Sequence, residues 1–250
     1  MLVTGIGVTD GCAVGGAGLL QYATDVDEAL LPADVLAAAR DRRGGATEVA
    51  ARALDGLLEV AGDRGRLDAA VAVLLAGQPA MAPMWHLARA ARAPDPAAAL
   101  RQLRRLLATD AAAAVDTAAA WLAARPGPVR TVSHSSLVDR VLARAGIAAE
   151  EESHGQGLAQ VEAATGVGLV GADAIGPDAL LNATGTAALA TLVPTLVVAT
   201  GVKLVPAAVF ARMAAPGFET VPLAAVAAVA LDGELIAPAE AGRRAAVLDR

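Results

Sequence analysis

The chain is poor in the residues that most often mark a site. Among 250 residues there is one cysteine, Cys12, one tyrosine, two phenylalanines and two tryptophans. A single thiol excludes an intrachain disulfide and any metal site built from several cysteines. Aromatic residues make up 2% of the chain, too few for base-stacking platforms. Acidic residues outnumber basic ones, 26 to 20, and the formal charge of −6 is the wrong sign for a nucleic-acid surface. No uncharged apolar run reaches the roughly 18–20 residues that span a bilayer. The longest candidate, residues 183–202, is rich in Ala, Thr and Gly, holds Pro194, and reads as a buried helix followed by a buried strand. The first residues lack the basic opening of a signal peptide. These absences lead us to expect a cytoplasmic protein that engages neither nucleic acid nor membrane.

One further scarcity carries information. Lys203 is the only lysine, although arginine is plentiful. An ammonium is a compact point charge, whereas a guanidinium is a planar fork. A lone lysine in an arginine-rich chain therefore marks a position that calls for an amine, with chance survival on the surface as the plain alternative. What the chain has in abundance is apolar residues, 56% of the total, enough for a sizeable core. Its length fits one large or two small domains.

The first 25 residues are glycine-rich, with Gly5, Gly7, Gly11, Gly15, Gly16 and Gly18. No βαβ pattern surrounds them, so a loop or a loosely packed first strand fits better than a nucleotide-binding turn. Helices are expected over 31–39, 45–61 and 67–75, and one or two alanine-rich helices over 97–124, where Leu100, Leu103, Leu106 and Leu107 keep helical spacing. Between the first two lies Asp41-Arg42-Arg43-Gly44-Gly45, a basic pair and two glycines just before a helix. It reads as an anion cradle or as a solvated linker. His86 falls on the helix after Pro79 and Pro83, where it reads as a candidate ligand or, better, as a helix-surface histidine. Prolines 126 and 128 place a domain boundary near 125, giving a mainly helical domain over 1–125 and an α/β domain over 126–250.

In the second half, a strand over 129–132 leads to Ser133-His134-Ser135-Ser136 and a helix from 137 to 145. These serines read as a phosphate-holding loop or as a helix N-cap. A Ser–His nucleophile is disfavoured, because neighbours in sequence rarely form such a pair and no Gly-x-Ser-x-Gly elbow is present. A second strand is expected over 147–151 and a short helix over 158–164. The stretch from Val167 to Lys203 reads as strand, Gly-Pro-Asp turn, helix opened by Asn182, and strand. Asp173 ends the first strand and Lys203 the second. In open parallel sheets ligands bind beyond the carboxyl ends of the strands, so Asp173 and Lys203 are candidates to share one ligand, with Asn182 and Thr186 adding polar groups. The plain alternative makes Asp173 a turn residue and Asn182 an N-cap. A strand over 224–231 and a hairpin-like turn at Asp232-Gly233 close the chain.

The order of several short motifs carries a resemblance. These are Arg43-Gly44-Gly45-Ala46-Thr47-Glu48, Gln78-Pro79-Ala80-Met81-Ala82-Pro83, Thr131-Val132-Ser133-His134-Ser135-Ser136, Gly171-Ala172-Asp173-Ala174-Ile175, Asn182 with Gly185-Thr186, Lys203, and Phe218-Glu219 with Val221-Pro222. From about residue 40 to 240 the chain resembles the family that unites the alpha, beta and delta subunits of translation initiation factor 2B with ribose-1,5-bisphosphate isomerase and methylthioribose-1-phosphate isomerase. The resemblance implies an α/β fold in which an N-terminal helical domain precedes a Rossmann-like, mostly parallel sheet domain, assembled as a homodimer or higher homo-oligomer. It implies a small phosphorylated sugar or nucleotide between the domains, with no metal and no nicotinamide cofactor. It gives Asp173 and Ser135 the catalytic positions, and Arg43, Gly44, Ser136, Asn182 and Lys203 the substrate contacts.

The departures from the family pattern matter as much. Ser135 stands where the isomerases carry a cysteine, and a hydroxyl ionises far less readily than a thiol. Ala183 replaces a usual lysine, Glu152-Ser153-His154-Gly155 stands for a Glu-Ser-Arg-Pro type motif, and only one short helix fits between 157 and 167. The chain is therefore expected to be a sugar-phosphate-binding, isomerase-like protein, capable of aldose–ketose isomerisation of a sugar 1-phosphate if Ser135 suffices. The alternative is a non-catalytic, initiation factor 2B-like regulatory or ligand-sensing subunit. A third reading, a purely structural interaction protein, predicts no ligand at all.

Overall fold

Apolar residues recur at helical spacing through the first third of the chain, and each helix buries one stripe. A computed structural model describes residues 28–132, 135–148, 150–152 and 165–249. The glycine-rich start with Cys12, the Ser133-His134 pair, residues 153–155 and the short helix expected over 158–164 lie outside the described residues. Helices α1 (Ala33–Arg40), α2 (Ala46–Glu59), α3 (Arg64–Gly77) and α4 (Ala82–Ala91) form the helical layer. In α2 the buried residues are Ala46, Val49, Ala50, Ala53, Leu54, Gly56 and Leu57, a stripe along one face. Gly77 sits where α3 crosses the end of α1: a Cβ there would lie 2.4 Å from the Ala39 carbonyl oxygen, so the crossing needs glycine.

The alanine-rich segment is a single helix, α5 (Pro96–Ala123). Asp95 caps it by accepting from the Ala98 N–H at 2.9 Å, and Pro96 supplies the first turn. By length and composition α5 could cross a membrane. Here its apolar stripe is used inside the protein. Leu100 and Leu107 join the helical core, while Ala111, Ala114, Val115, Ala118, Trp121 and Leu122 pack on the sheet that follows.

That sheet has six strands in the order β2-β1-β3-β6-β8-β9. They are β1 (Val129–Val132), β2 (Glu150–Glu152), β3 (Val167–Val170), β6 (Thr195–Ala199), β8 (Ala228–Leu231) and β9 (Glu234–Ile236). All neighbours run parallel except the β8–β9 hairpin. Asp232 and Gly233 make its turn with φ of 50° and 92°, as a tight hairpin requires. Strands β3 and β6 are buried along their whole length. Successive residues face opposite sides: Leu169, Leu196 and Val198 face α5 and α6 (Ser136–Ala145), while Val170, Val197 and Ala199 face α7 (Thr186–Leu192) and α8 (Pro238–Ala246).

Two features differ from the sequence expectation. The Gly-Pro-Asp turn does not lead into a helix. It joins β4 (Ala174–Ile175) to β5 (Ala179–Ala183), which pair antiparallel and continue to β7 (Phe218–Pro222) as a separate three-stranded sheet. Asn182 therefore lies in a strand, opposite Glu219, and Gly185 with φ 106° precedes α7. The second strand spans Glu150–Glu152 rather than 147–151.

Candidate functional site

The strand order sets the place of the site. The chain moves from β1 outward to β2, then returns to the other side of β1 as β3. The loops after β1 and β3 therefore diverge and leave a crevice at the carboxyl edge. Helix α6 starts at Ser136 in the first loop, and Gly171-Ala172-Asp173 follows in the second. Glycine at 171 lets the two approach, since a Cβ there would sit 2.7 Å from Ser135 Oγ. The helical layer covers the crevice and encloses a cavity of about 1060 Å³, at the upper end of ordinary ligand sites.

All seven residues that the resemblance assigns to the site line this cavity: Arg43, Gly44, Ser135, Ser136, Asp173, Asn182 and Lys203; Thr186 does not. Lys203 is 3% exposed. It lies in a short turn after β6, where its N–H donates to the Thr200 carbonyl at 2.8 Å. The next residues are tied twice. Val205 N–H donates to the Ile175 carbonyl at 2.9 Å, and His86 Nε2 lies 2.8 Å from the Leu204 carbonyl oxygen. His86 is thus a half-buried strut between the layers, not a surface residue, and burial lowers its imidazolium pKa. Asp173 is fixed through its backbone, its carbonyl accepting from Ala82 N–H at 2.9 Å.

Among the described residues, Asp173 and Lys203 form no direct ion pair or side-chain hydrogen bond. They interact through the cavity. Burial lowers the Lys203 ammonium to about 8, and Asp173 opposes the fall. Burial raises the Asp173 carboxyl above its ordinary value, and Lys203 pulls it back. The pair is thus an acid and a base drawn toward each other in affinity, which suits proton exchange with a bound molecule.

The other wall comes from the loop 41–45. Asp41 Oδ1 accepts from the N–H groups of Gly44 at 2.7 Å and Arg43 at 2.8 Å, and Oδ2 pairs with Arg52 at 2.8 Å. The Gly44 and Arg43 amides, with Arg52, hold the Asp41 carboxyl below its ordinary pKa. Buried Gln78 donates to the carbonyls of Ala38 at 2.8 Å and Asp41 at 2.6 Å, and Arg42 donates to those of Ala39, Asp41 and Gly77. The Arg43 guanidinium makes no bond among the described residues. The loop delivers the start of α2 to the start of α6: a Cβ on Gly45 would lie 3.1 Å from Ser136 N. Neither helix has a side-chain cap; Ser135 holds the N-cap position of α6 without bonding back. Two positive helix ends thus meet at the cavity, which is lined by three basic side chains (Arg42, Arg43, Lys203) and two acidic ones (Asp41, Asp173). In a chain of charge −6 this is a local anion-attracting region.

The helix after Asn182 plays no such part. Glu219 Oε1 accepts from the N–H groups of Gly185 at 2.9 Å and Ala187 at 2.8 Å, so a carboxylate already occupies the start of α7. Asn182 instead donates to Thr186 Oγ1 at 3.0 Å, and Thr186 in turn to the Ala183 carbonyl at 2.7 Å. That leaves the Asn182 side-chain oxygen without a partner among the described residues. Gln78 was assigned no role from the sequence, and Asp41 and Gly45 were read only as parts of a candidate anion cradle or linker. The pattern of an acid three residues before a Gly-Gly pair was the available signal for Asp41; nothing local pointed to Gln78.

The fold and site define a doubly wound α/β domain with an anion-attracting cavity roofed by a helical layer. This is the fold of initiation factor 2B subunits and of methylthioribose-1-phosphate isomerase. The chain is similar to a translation initiation factor eIF-2B of Pyrococcus horikoshii OT3, at 19% identity and TM-score 0.67 over 84% of this chain and 99% of that one. It is similar to a subunit of the tetrameric eIF2B-beta2-delta2 complex of C. thermophilum, at 14% identity and TM-score 0.66 over 91% and 97%. It is also similar to 5-methylthioribose 1-phosphate isomerase of Pyrococcus horikoshii OT3, at 14% identity and TM-score 0.52 over 88% and 91%. No family model and no curated protein sequence matches the chain.

Proposed function

We propose that this chain binds a small phosphorylated sugar in the cavity and acts as an isomerase-like protein on it. The observation that carries the reading is the convergence, in one cavity, of a buried lone lysine, a half-buried aspartate and two uncapped helix starts. The starts of α2 and α6, with the Arg43 guanidinium, hold the phosphate; Gly44 lines the site, but its N–H is taken by Asp41. Lys203 and the Asn182 oxygen hold sugar oxygens. Asp173 carries the C2 hydroxyl proton to the ring oxygen while the bond from C1 to that oxygen breaks and hydrogen passes from C2 to C1, which turns an aldose 1-phosphate into an open-chain ketose 1-phosphate with nothing gained or lost. Ser135 and Ser136 sit beside the reacting carbons as hydroxyl donors. In this reading residues 1–125 and 126–250 act as two domains that close on the ligand. The working form is a cytoplasmic homodimer or higher homo-oligomer.

A specific observation favours a second reading. Ser135 stands where the resemblance puts a cysteine, and its side chain makes no bond to the helix it precedes. The cavity would then sense a sugar phosphate or nucleotide in a regulatory subunit without turning it over. Proton NMR of wild type, Asp173→Asn and Ser135→Cys with methylthioribose 1-phosphate and ribose 1,5-bisphosphate separates the two. Wild-type turnover that falls about 100-fold or more in Asp173→Asn supports the isomerase. Turnover in Ser135→Cys alone identifies the sensing subunit, and full turnover in Asp173→Asn removes that residue's role.

A further inference from the structure

Lys203 has the surroundings of a nucleophile rather than of a structural cation. It is the only lysine of the chain, it is 3% exposed, and it lines the cavity. Its amine makes neither an ion pair nor a hydrogen bond among the described residues. The turn that carries it is held rigidly by the Val205–Ile175 and His86–Leu204 bonds, at 2.9 and 2.8 Å. Buried cations normally find a partner at contact distance. An amine that faces a cavity without one is free to react with what the cavity holds. Arginine could not serve, because a guanidinium stays protonated.

We propose that Lys203 is a carbonyl-reactive amine, which condenses reversibly with the aldehyde or ketone of a small phosphorylated compound held in the cavity. This deepens the sugar-phosphate reading and rests on it, since the open-chain ketose 1-phosphate is such a compound. The nitrogen lone pair of Lys203 forms a bond to the carbonyl carbon, and the carbonyl oxygen takes up a proton to give a carbinolamine. Protonation of that hydroxyl and loss of water leave an iminium, with Asp173 donating and accepting the protons. Hydrolysis is the reverse, and no oxidant or reductant is consumed. Arg43 and the starts of α2 and α6 hold the phosphate, which places the carbonyl toward the amine. An ammonium lowered to about 8 supplies roughly one free amine in ten at pH 7, against fewer than one in a thousand for an ordinary lysine. A desolvated lysine is the usual form of such a nucleophile.

Pyridoxal 5′-phosphate, an aldehyde with a phosphate, is a direct probe. The intact protein is incubated with it, reduced with borohydride, and mapped by peptide mass spectrometry; pyridoxal and added inorganic phosphate are the controls. The expected result is one saturable adduct on Lys203, formed at least ten-fold faster than with pyridoxal, slowed by inorganic phosphate, and exceeding labelling of the α-amino terminus. Labelling confined to the α-amino terminus, or equal rates with pyridoxal and its phosphate, overturns the proposal. A melting-temperature rise with sugar phosphate in the same buffer separates the two claims. A rise without a Lys203 adduct overturns the imine and leaves the phosphate site standing; no rise and no adduct overturns both.

Discussion

Replacing the buried amine should stabilise the unliganded protein, and the size of the gain should depend on pH in a defined direction. Burial lowers the Lys203 ammonium from 10.5 to about 8. At about 1.4 kcal/mol for each tenfold change in affinity, the protonated side chain costs the folded state about 3 kcal/mol. The folded pKa lies below the unfolded one, so between pH 8 and 10.5 the unfolded chain binds the extra proton. Stability contributed by this site therefore rises with pH across that window, and below about pH 8 the full cost is present. Methionine matches lysine in length and carries no charge. Lys203→Met is expected to be more stable than wild type by about 3 kcal/mol at pH 7, with the gap closing toward pH 10.5. Urea unfolding of both proteins at several pH values measures this; groups that do not feel Lys203 cancel in the difference, and Asp173, which does, titrates below the window used. A gap that stays constant with pH, or a variant less stable at pH 7, would refute the assignment of Lys203 as a buried, unpaired cation.

Three further outcomes follow from named contacts. Glu219→Ala leaves the Gly185 and Ala187 N–H groups without their acceptor and should cost about 1–3 kcal/mol in urea unfolding, with phosphate affinity unchanged because Glu219 does not line the cavity. Gly45→Ala puts a methyl 3.1 Å from Ser136 N and parts the two helix starts. Calorimetric titration should show phosphate binding weakened about ten-fold, a loss of about 1.4 kcal/mol. Leu196→Ala opens a cavity at a fully buried position under α5 and should lower stability by about 2–5 kcal/mol without altering the site.

What the sequence disclosed was local in nature. Asp173 and Lys203 stood at the ends of apolar runs, and strand-end position is a property of a few neighbouring residues. Both proved to line one cavity. The Asp41–Gly45 segment was legible for the same reason, since glycines and a short acid before a helix shape the backbone within five residues. The second sheet was not. Strand β4 has two residues, and Ala179–Ala183 shares its alanine-rich alphabet with the helix that follows, so neither a period of 2 nor one of 3.6 stands out. Asn182 was misplaced onto a helix on that account. The cap of α7 was invisible because its acceptor, Glu219, lies 34 residues from Gly185. Gln78 reaches carbonyls 40 and 37 residues away, at Ala38 and Asp41. Contacts of that range arise from the fold and leave no trace in nearby sequence.

The measurement closest to the central claim is a thermal-shift series on wild type and Lys203→Met with ribose 1,5-bisphosphate, methylthioribose 1-phosphate, AMP and inorganic phosphate. A ligand that binds only the folded state raises its stability by mass action. A sugar phosphate is expected to raise the wild-type melting temperature more than inorganic phosphate does, and the rise should collapse in Lys203→Met. No rise with any of the four compounds, or an equal rise in the variant, would contradict a sugar-phosphate site built around Lys203.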